Sequence, residues 1–182
     1  MVPRRDLCGQ LIHAFNDEAI TSIPQNVRII DLSDNPIKSW AYGHALPFHL
    51  EALLLERTYI TGFDEGVGSL PLHIKRLWLA MNRIASFEGC EALPPGLEKI
   101  CLERCHFRSF EGCAALPRGL KNLCLCHNVF SSFKGCEGLP RGLETLCLIG
   151  NDIQSMEGCE GLPRGVNLIG LKPVLRQIIS RR

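Results

Sequence analysis

The chain has 182 residues, 46% of them hydrophobic and 21% charged, which is enough to bury a core as a single domain and excludes a disordered polymer. A formal net charge of +1 gives no overall pull toward nucleic acid or an anionic membrane. The basic start MVPRRDLCGQLIHAF lacks the apolar core of a cleaved leader, and no stretch approaches the ~18 apolar residues of a membrane span, so neither nucleic acid nor membrane is an expected partner.

Residues 1–22 read as an N-terminal cap. Between 6 and 20, Leu7, Leu11, Ile12, Phe15, Ala19 and Ile20 fall on one helical face, which predicts a helix that seals the first of the units beyond it. From residue 23 the chain becomes periodic. Ile-Pro or Leu-Pro pairs begin at Ile23, Leu46, Leu70, Leu93, Leu116, Leu139 and Leu162, in steps of 23, 24, 23, 23, 23 and 23. Residues 23–171 thus hold about seven units, in which the pattern L-x-x-L-x-L-x-x-N/C-x-L recurs. It is carried by Leu97, Ile100, Leu102, Cys105 and Phe107, by Leu120, Leu123, Leu125, Asn128 and Phe130, and by Leu143, Leu146, Leu148, Asn151 and Ile153. The opening units are less regular: Asn35 keeps the pattern and Thr58 replaces the Asn. A second apolar column, Trp40, Phe63, Phe87, Phe110, Phe133 and Met156, is expected to pack inside. Gly96, Gly119, Gly142 and Gly165 of the Leu-Pro-x-Gly element are expected to permit a tight turn back to the strand. Residues 172–182 form a basic tail in which Val174, Leu175, Ile178 and Ile179 suit a second cap after Pro173.

This pattern resembles the leucine-rich-repeat family, and its short Leu-Pro units look like those of bacterial effector repeats and of repeat proteins encoded by large DNA viruses. The resemblance implies an α/β solenoid: a horseshoe with a parallel concave β-sheet, convex loops and 3₁₀ turns, and helical caps at both ends. It also implies a protein-protein interaction scaffold that grips a partner protein on the concave face, with no catalytic residues and no cofactor. The alternatives are a structural component of a larger assembly, such as a virus particle, and a metal or redox site. Oligomeric state is left open.

Ten cysteines in a chain of this length, with a core of its own and no leader, point to thiols in a reducing compartment, hence a cytoplasmic setting. Cys90, Cys113, Cys136 and Cys159 share a column with Val67 and Gly43, the mark of a small buried slot. Cys101, Cys124 and Cys147 lie between strand leucines and point outward, where Cys126 and His127 join them; this group carries the metal or redox alternative. Outward positions run Asp31, Leu54, Trp78, Cys101, Cys124, Cys147, Gly170 in one column and Ser33, Glu56, Ala80, Glu103, Cys126, Ile149, Lys172 in the next. On this face and beside it, Leu54, Glu56, Arg57, Trp78, Met81, Glu103, Arg104 and His127 are the candidate partner-binding residues. An aromatic anchor among mixed charges has the make-up of an interface hot spot, and Trp78 is that anchor. The alternating Glu56 with Arg57 and Glu103 with Arg104 read either as contact charges or as a plain solvated face.

Overall fold

The computed structural model describes residues 2–171. Each coil supplies one three-residue strand: β1 (Arg4–Asp6), β2 (Ile29–Asp31), β3 (Ala52–Leu54), β4 (Arg76–Trp78), β5 (Lys99–Cys101), β6 (Asn122–Cys124), β7 (Thr145–Cys147) and β8 (Asn167–Ile169). They form one parallel sheet in chain order. The register matches the repeat, so that Ile30, Leu53, Leu77, Ile100, Leu123, Leu146 and Leu168 stand side by side. The seven strands implied by the repeat are β2 to β8, and the chain is a solenoid with a parallel sheet and 3₁₀ turns.

A three-residue strand cannot stand alone, and stacking supplies what holds it. Leu55, Leu79, Leu102 and Leu125 are fully buried between the sheet and the convex side. Behind them run two aromatic files. Trp40 and Phe63 stack at 6.4 Å, as do Phe110 and Phe133, while Phe107 and Phe130 form a second stacked file at 6.5 Å. Phe87 and Phe110 join the files by tilted contacts at 4.6 Å. Each large side chain so buried contributes about 1.5–3 kcal/mol, and every coil brings several of them.

The return path is a 3₁₀ turn rather than a helix, at Gly43–Ala45, Glu65–Ser69, Cys90–Ala92, Cys113–Ala115, Cys136–Gly138 and Cys159–Gly161. The regular coils enter it through a left-handed glycine, Gly89, Gly112, Gly135 or Gly158. Gly89 shows why nothing larger fits: a Cβ there would lie 1.7 Å from the Phe63 carbonyl oxygen. The Leu-Pro-x-Gly element makes the expected tight turn, with the N–H groups of Leu97, Leu120, Leu143 and Val166 donating to the carbonyls of Pro94, Pro117, Pro140 and Pro163. Among Gly96, Gly119, Gly142 and Gly165 only Gly165 is left-handed, at φ 77°, so the demand for a left-handed residue sits elsewhere in the coil.

Two expectations are corrected. No single helix covers residues 6 to 20; the segment forms β1, a loop and one turn of helix, α1 (Glu18–Thr21), capped by the Asp17 carboxylate accepting from the Ala19 N–H. Leu7, Ile12, Phe15 and Ile20 are buried as a sealing face requires, but Leu11 is left-handed and 72% exposed. The backbone joins the sheet instead, through Leu7 N–H to the Asp31 carbonyl. The last coil is one residue short, so Ile169, not Gly170, stands beside Cys147. The tail 172–182, with its expected second cap and Lys172, lies outside the described residues.

Candidate functional site

Strand alternation turns every second side chain outward, and parallel stacking aligns these side chains into columns. The first column is Asp6, Asp31, Leu54, Trp78, Cys101, Cys124, Cys147 and Ile169. Two residues further on lies the second, Cys8, Ser33, Glu56, Ala80, Glu103, Cys126 and Ile149. The residue after each of these forms a rim, Gly9, Asp34, Arg57, Met81, Arg104, His127 and Gly150, and every member is left-handed with φ between 51° and 72°. Seven consecutive coils therefore turn off the sheet in the same rare conformation, five of them without glycine.

The residue after the rim explains it. The left-handed turn drops Asn35, Thr58, Asn82, Cys105 and Asn128 into the core, where they knit coils together. Asn82 donates from Nδ2 to the carbonyls of Leu55 (2.7 Å) and Leu79 (3.0 Å), and its Oδ1 accepts from the N–H groups of Thr58 (3.1 Å) and Ile60 (3.0 Å). Asn35, Asn128 and Asn151 repeat the arrangement. Cys105 offers only a long contact from its sulfur to the Leu79 carbonyl, 3.4 Å. No buried side-chain nitrogen or oxygen among the described residues lacks a partner.

The eight candidate binding residues all fall on this face or its rim. Leu54 and Trp78 are half-buried in the first column, Glu56 and Glu103 stand in the second, and Arg57, Met81, Arg104 and His127 are exposed on the rim. Trp78 is flanked by Lys99, whose Nζ sits 5.5 Å from the ring centroid. Lys99 was not singled out by sequence, although strand alternation puts it on the same face as Cys101. Met81 is 42% exposed and its Sδ lies 3.6 Å from an Arg57 nitrogen.

The charges of this face are held in pairs. Arg57 does not take its neighbour Glu56; it grips Asp34 of the preceding coil with two nitrogens on two oxygens. That grip holds the Asp34 carboxyl below its ordinary range, the guanidinium hydrogen bond being the largest cause. Glu103 and Arg104 do pair, at 3.5 Å, and Arg4 reaches Asp31 at 2.9 Å.

The thiols divide by depth. Cys90, Cys113, Cys136 and Cys159 are buried in the convex turns; burial pushes Cys90 and Cys136 up to about 12 and Cys113 up to about 11, which leaves these three as protonated fillers. On the concave side the sulfurs of Cys124 and Cys126 are 3.3 Å apart and those of Cys126 and Cys147 2.8 Å apart. Cys124 is lowered, first because it accepts a hydrogen bond from Cys101, while Cys101 is raised by that same bond and Cys126 by burial.

No family model matches the sequence, and no curated protein matches it. Solved structures do. An internalin of Listeria monocytogenes superposes with a TM-score of 0.59 at 15% identity, covering 84% of this chain and 49% of the internalin. A leucine-rich-repeat protein of Leptospira interrogans gives 0.61 at 18% identity, covering 93% of this chain and 48% of that one. The chain spans about half the length of either protein, and at such identity the likeness is one of fold. With the repeat in the sequence and the parallel stack in three dimensions, the chain has the fold of a leucine-rich-repeat solenoid.

Proposed function

We propose that the chain is a protein-interaction scaffold that holds a partner protein on its concave face. The observation that carries this reading is the apolar strip Leu54, Trp78 and Met81, half-buried or exposed, set between Asp34 with Arg57 on one side and Glu103 with Arg104 on the other. Such a strip gives an aromatic anchor and a polar rim, the division found at interface hot spots. The charged residues are already held by one another, so a partner meets them with little ordering left to do. The role is binding without catalysis, because an open sheet does not exclude water as a reacting centre requires. Ten free thiols favour a reducing compartment such as the cytoplasm.

The test is affinity capture with wild type, Trp78→Ala, Arg57→Glu and, on the convex side, Lys134→Glu, followed by measurement of the captured protein's affinity. A partner that loses at least tenfold in affinity to Trp78→Ala, about 1.4 kcal/mol, and nothing to Lys134→Glu supports the concave site. Equal binding by all four proteins sinks it.

A further inference from the structure

Four of the ten cysteines lie on the concave face of three adjacent coils, β5 to β7, and their arrangement differs in kind from that of the convex thiols. The convex column has one sulfur per coil, and Cys113 and Cys136 each donate toward a backbone carbonyl, to Gly135 at 3.3 Å and to Gly158 at 3.2 Å. The concave column would be the same but for Cys126. In the other coils its position is Cys8, Ser33, Glu56, Ala80, Glu103 and Ile149, and of the two cysteines in this column Cys126 is the one that stands beside first-column thiols, Cys124 and Cys147. Cys126 shares a strand face with Cys124 and lies diagonally across from Cys147, so three sulfurs converge where the repeat alone would supply a line.

We propose that Cys124, Cys126 and Cys147 form a trithiolate site for one thiophilic d¹⁰ cation, zinc(II) or copper(I). The three sulfurs all lie within 4.8 Å of one another. A metal–sulfur bond of about 2.3 Å in tetrahedral or trigonal geometry asks for sulfurs roughly 3.8–4.0 Å apart, so side-chain rotations of under about 1 Å seat the ion. Parallel strands about 4.8 Å apart bring the backbone into range without distortion. Cys126 is 6% exposed and forms the floor, while Cys124 and Cys147 are half-buried and leave an approach from solvent. Soft thiolate donors without hard oxygens among the three select this class of ion over magnesium or calcium. A second group, Cys101, Glu103 and Cys124, shares the Cys124 sulfur and places a fourth thiol on the adjoining strand. Binding is ligand exchange only: each thiol that ligates loses its proton to solvent, and its metal–sulfur bond replaces a bond from the ion to a water or to a carrier ligand, which is released, with no change in oxidation state.

The experiment uses the full chain, reduced and stripped with a chelator, then titrated separately with zinc(II), cobalt(II) as a spectroscopic stand-in, and copper(I) supplied as a preformed complex. One equivalent is retained through gel filtration, X-ray absorption shows three sulfurs at about 2.3 Å, and bound metal protects Cys124, Cys126 and Cys147 from alkylation while Cys8 still reacts. Zinc with one further light-atom ligand or copper with sulfur alone distinguishes the two ions. Cys126→Ala, and Cys147→Ser as a milder change at a half-buried position, both abolish stoichiometric uptake, whereas Cys113→Ala on the convex side leaves it intact. Circular dichroism matching wild type shows the variants folded. Retention of none of the three metals, or full retention by Cys126→Ala and Cys147→Ser, overturns the site.

Discussion

The first four strands and the last four share one backbone plan and carry different chemistry on the same face. From β1 to β4 the concave side and its rim set ion pairs, Arg4 on Asp31 and Asp34 on Arg57, around the apolar Leu54, Trp78 and Met81. From β5 to β8, beyond the pair Glu103 and Arg104, it is organised by sulfur and hydrocarbon, with Cys101, Cys124, Cys126, Cys147, Ile149 and Ile169. The buried files do not change at the seam; Leu79 and Leu102 on either side of it are equally inaccessible. Leucines pointing in fix the coil, and the outward columns are free to differ because no inward contact depends on them. Trp78 stands at the seam, its ring under Lys99 of the next coil.

The largest effect expected from probing this contrast is on the turns behind the rim. Asn82→Ala strips two backbone carbonyls and two N–H groups of their buried partner and should cost on the order of 3 kcal/mol in urea unfolding. Cys105→Ala, the same position one coil later, should cost about 1 kcal/mol, since only one long contact is lost. Equal losses at the two positions would mean that the coils on either side of the seam are held alike. A smaller contrast lies in thiol reactivity. With iodoacetamide at neutral pH and no metal, Cys124, whose pKa is lowered, should label faster than Cys8, which is exposed yet raised by desolvation and by Asp34. Peptide mapping in which Cys8 leads would reverse the assignment.

Smallest is the pH response of the charged half. Asp34 is depressed in the folded chain, so the stability it contributes is complete above its ordinary value of 3.8 and lost as the pH falls through the folded value below it. The melting temperatures of wild type and Arg57→Gln should differ slightly near neutrality and converge in acid. Since the pair lies in solvent, added salt should narrow the gap as well, and a gap that widens in acid would contradict the pairing.

The regular coils were legible because their apolar residues return every 23 positions and only stacking hides them. The first coil was not. Asp6 to Asp31 is a step of 25, the strand Arg4–Asp6 is wholly exposed and has no apolar alternation, and Leu7, Leu11, Ile12 and Phe15 mimic a helical face. Gly9 and the left-handed Leu11 are what break that helix, and only Gly9 signals it in sequence. The shortened last coil misplaced Gly170 for a related reason: a one-residue deletion is invisible when Leu168 and Ile169 both satisfy the inward apolar position. The concave columns came from alternation alone, and with them Trp78 and the thiols. The pairing of Arg57 did not, because Asp34 lies a coil away in sequence and on a turn whose left-handed geometry non-glycine residues conceal.

That geometry limits what the edge of the horseshoe can become. A left-handed position disfavours valine, isoleucine and threonine, whose branched Cβ collides with the backbone, and proline cannot adopt it at all. The five non-glycine occupants, Asp, Arg, Met, Arg and His, are all unbranched at Cβ. A library meant to retarget this molecule should therefore randomise the two strand columns without restriction and offer the edge only small, acidic, amide or long linear side chains. Diversity spent there on branched residues would return unfolded protein rather than new specificity.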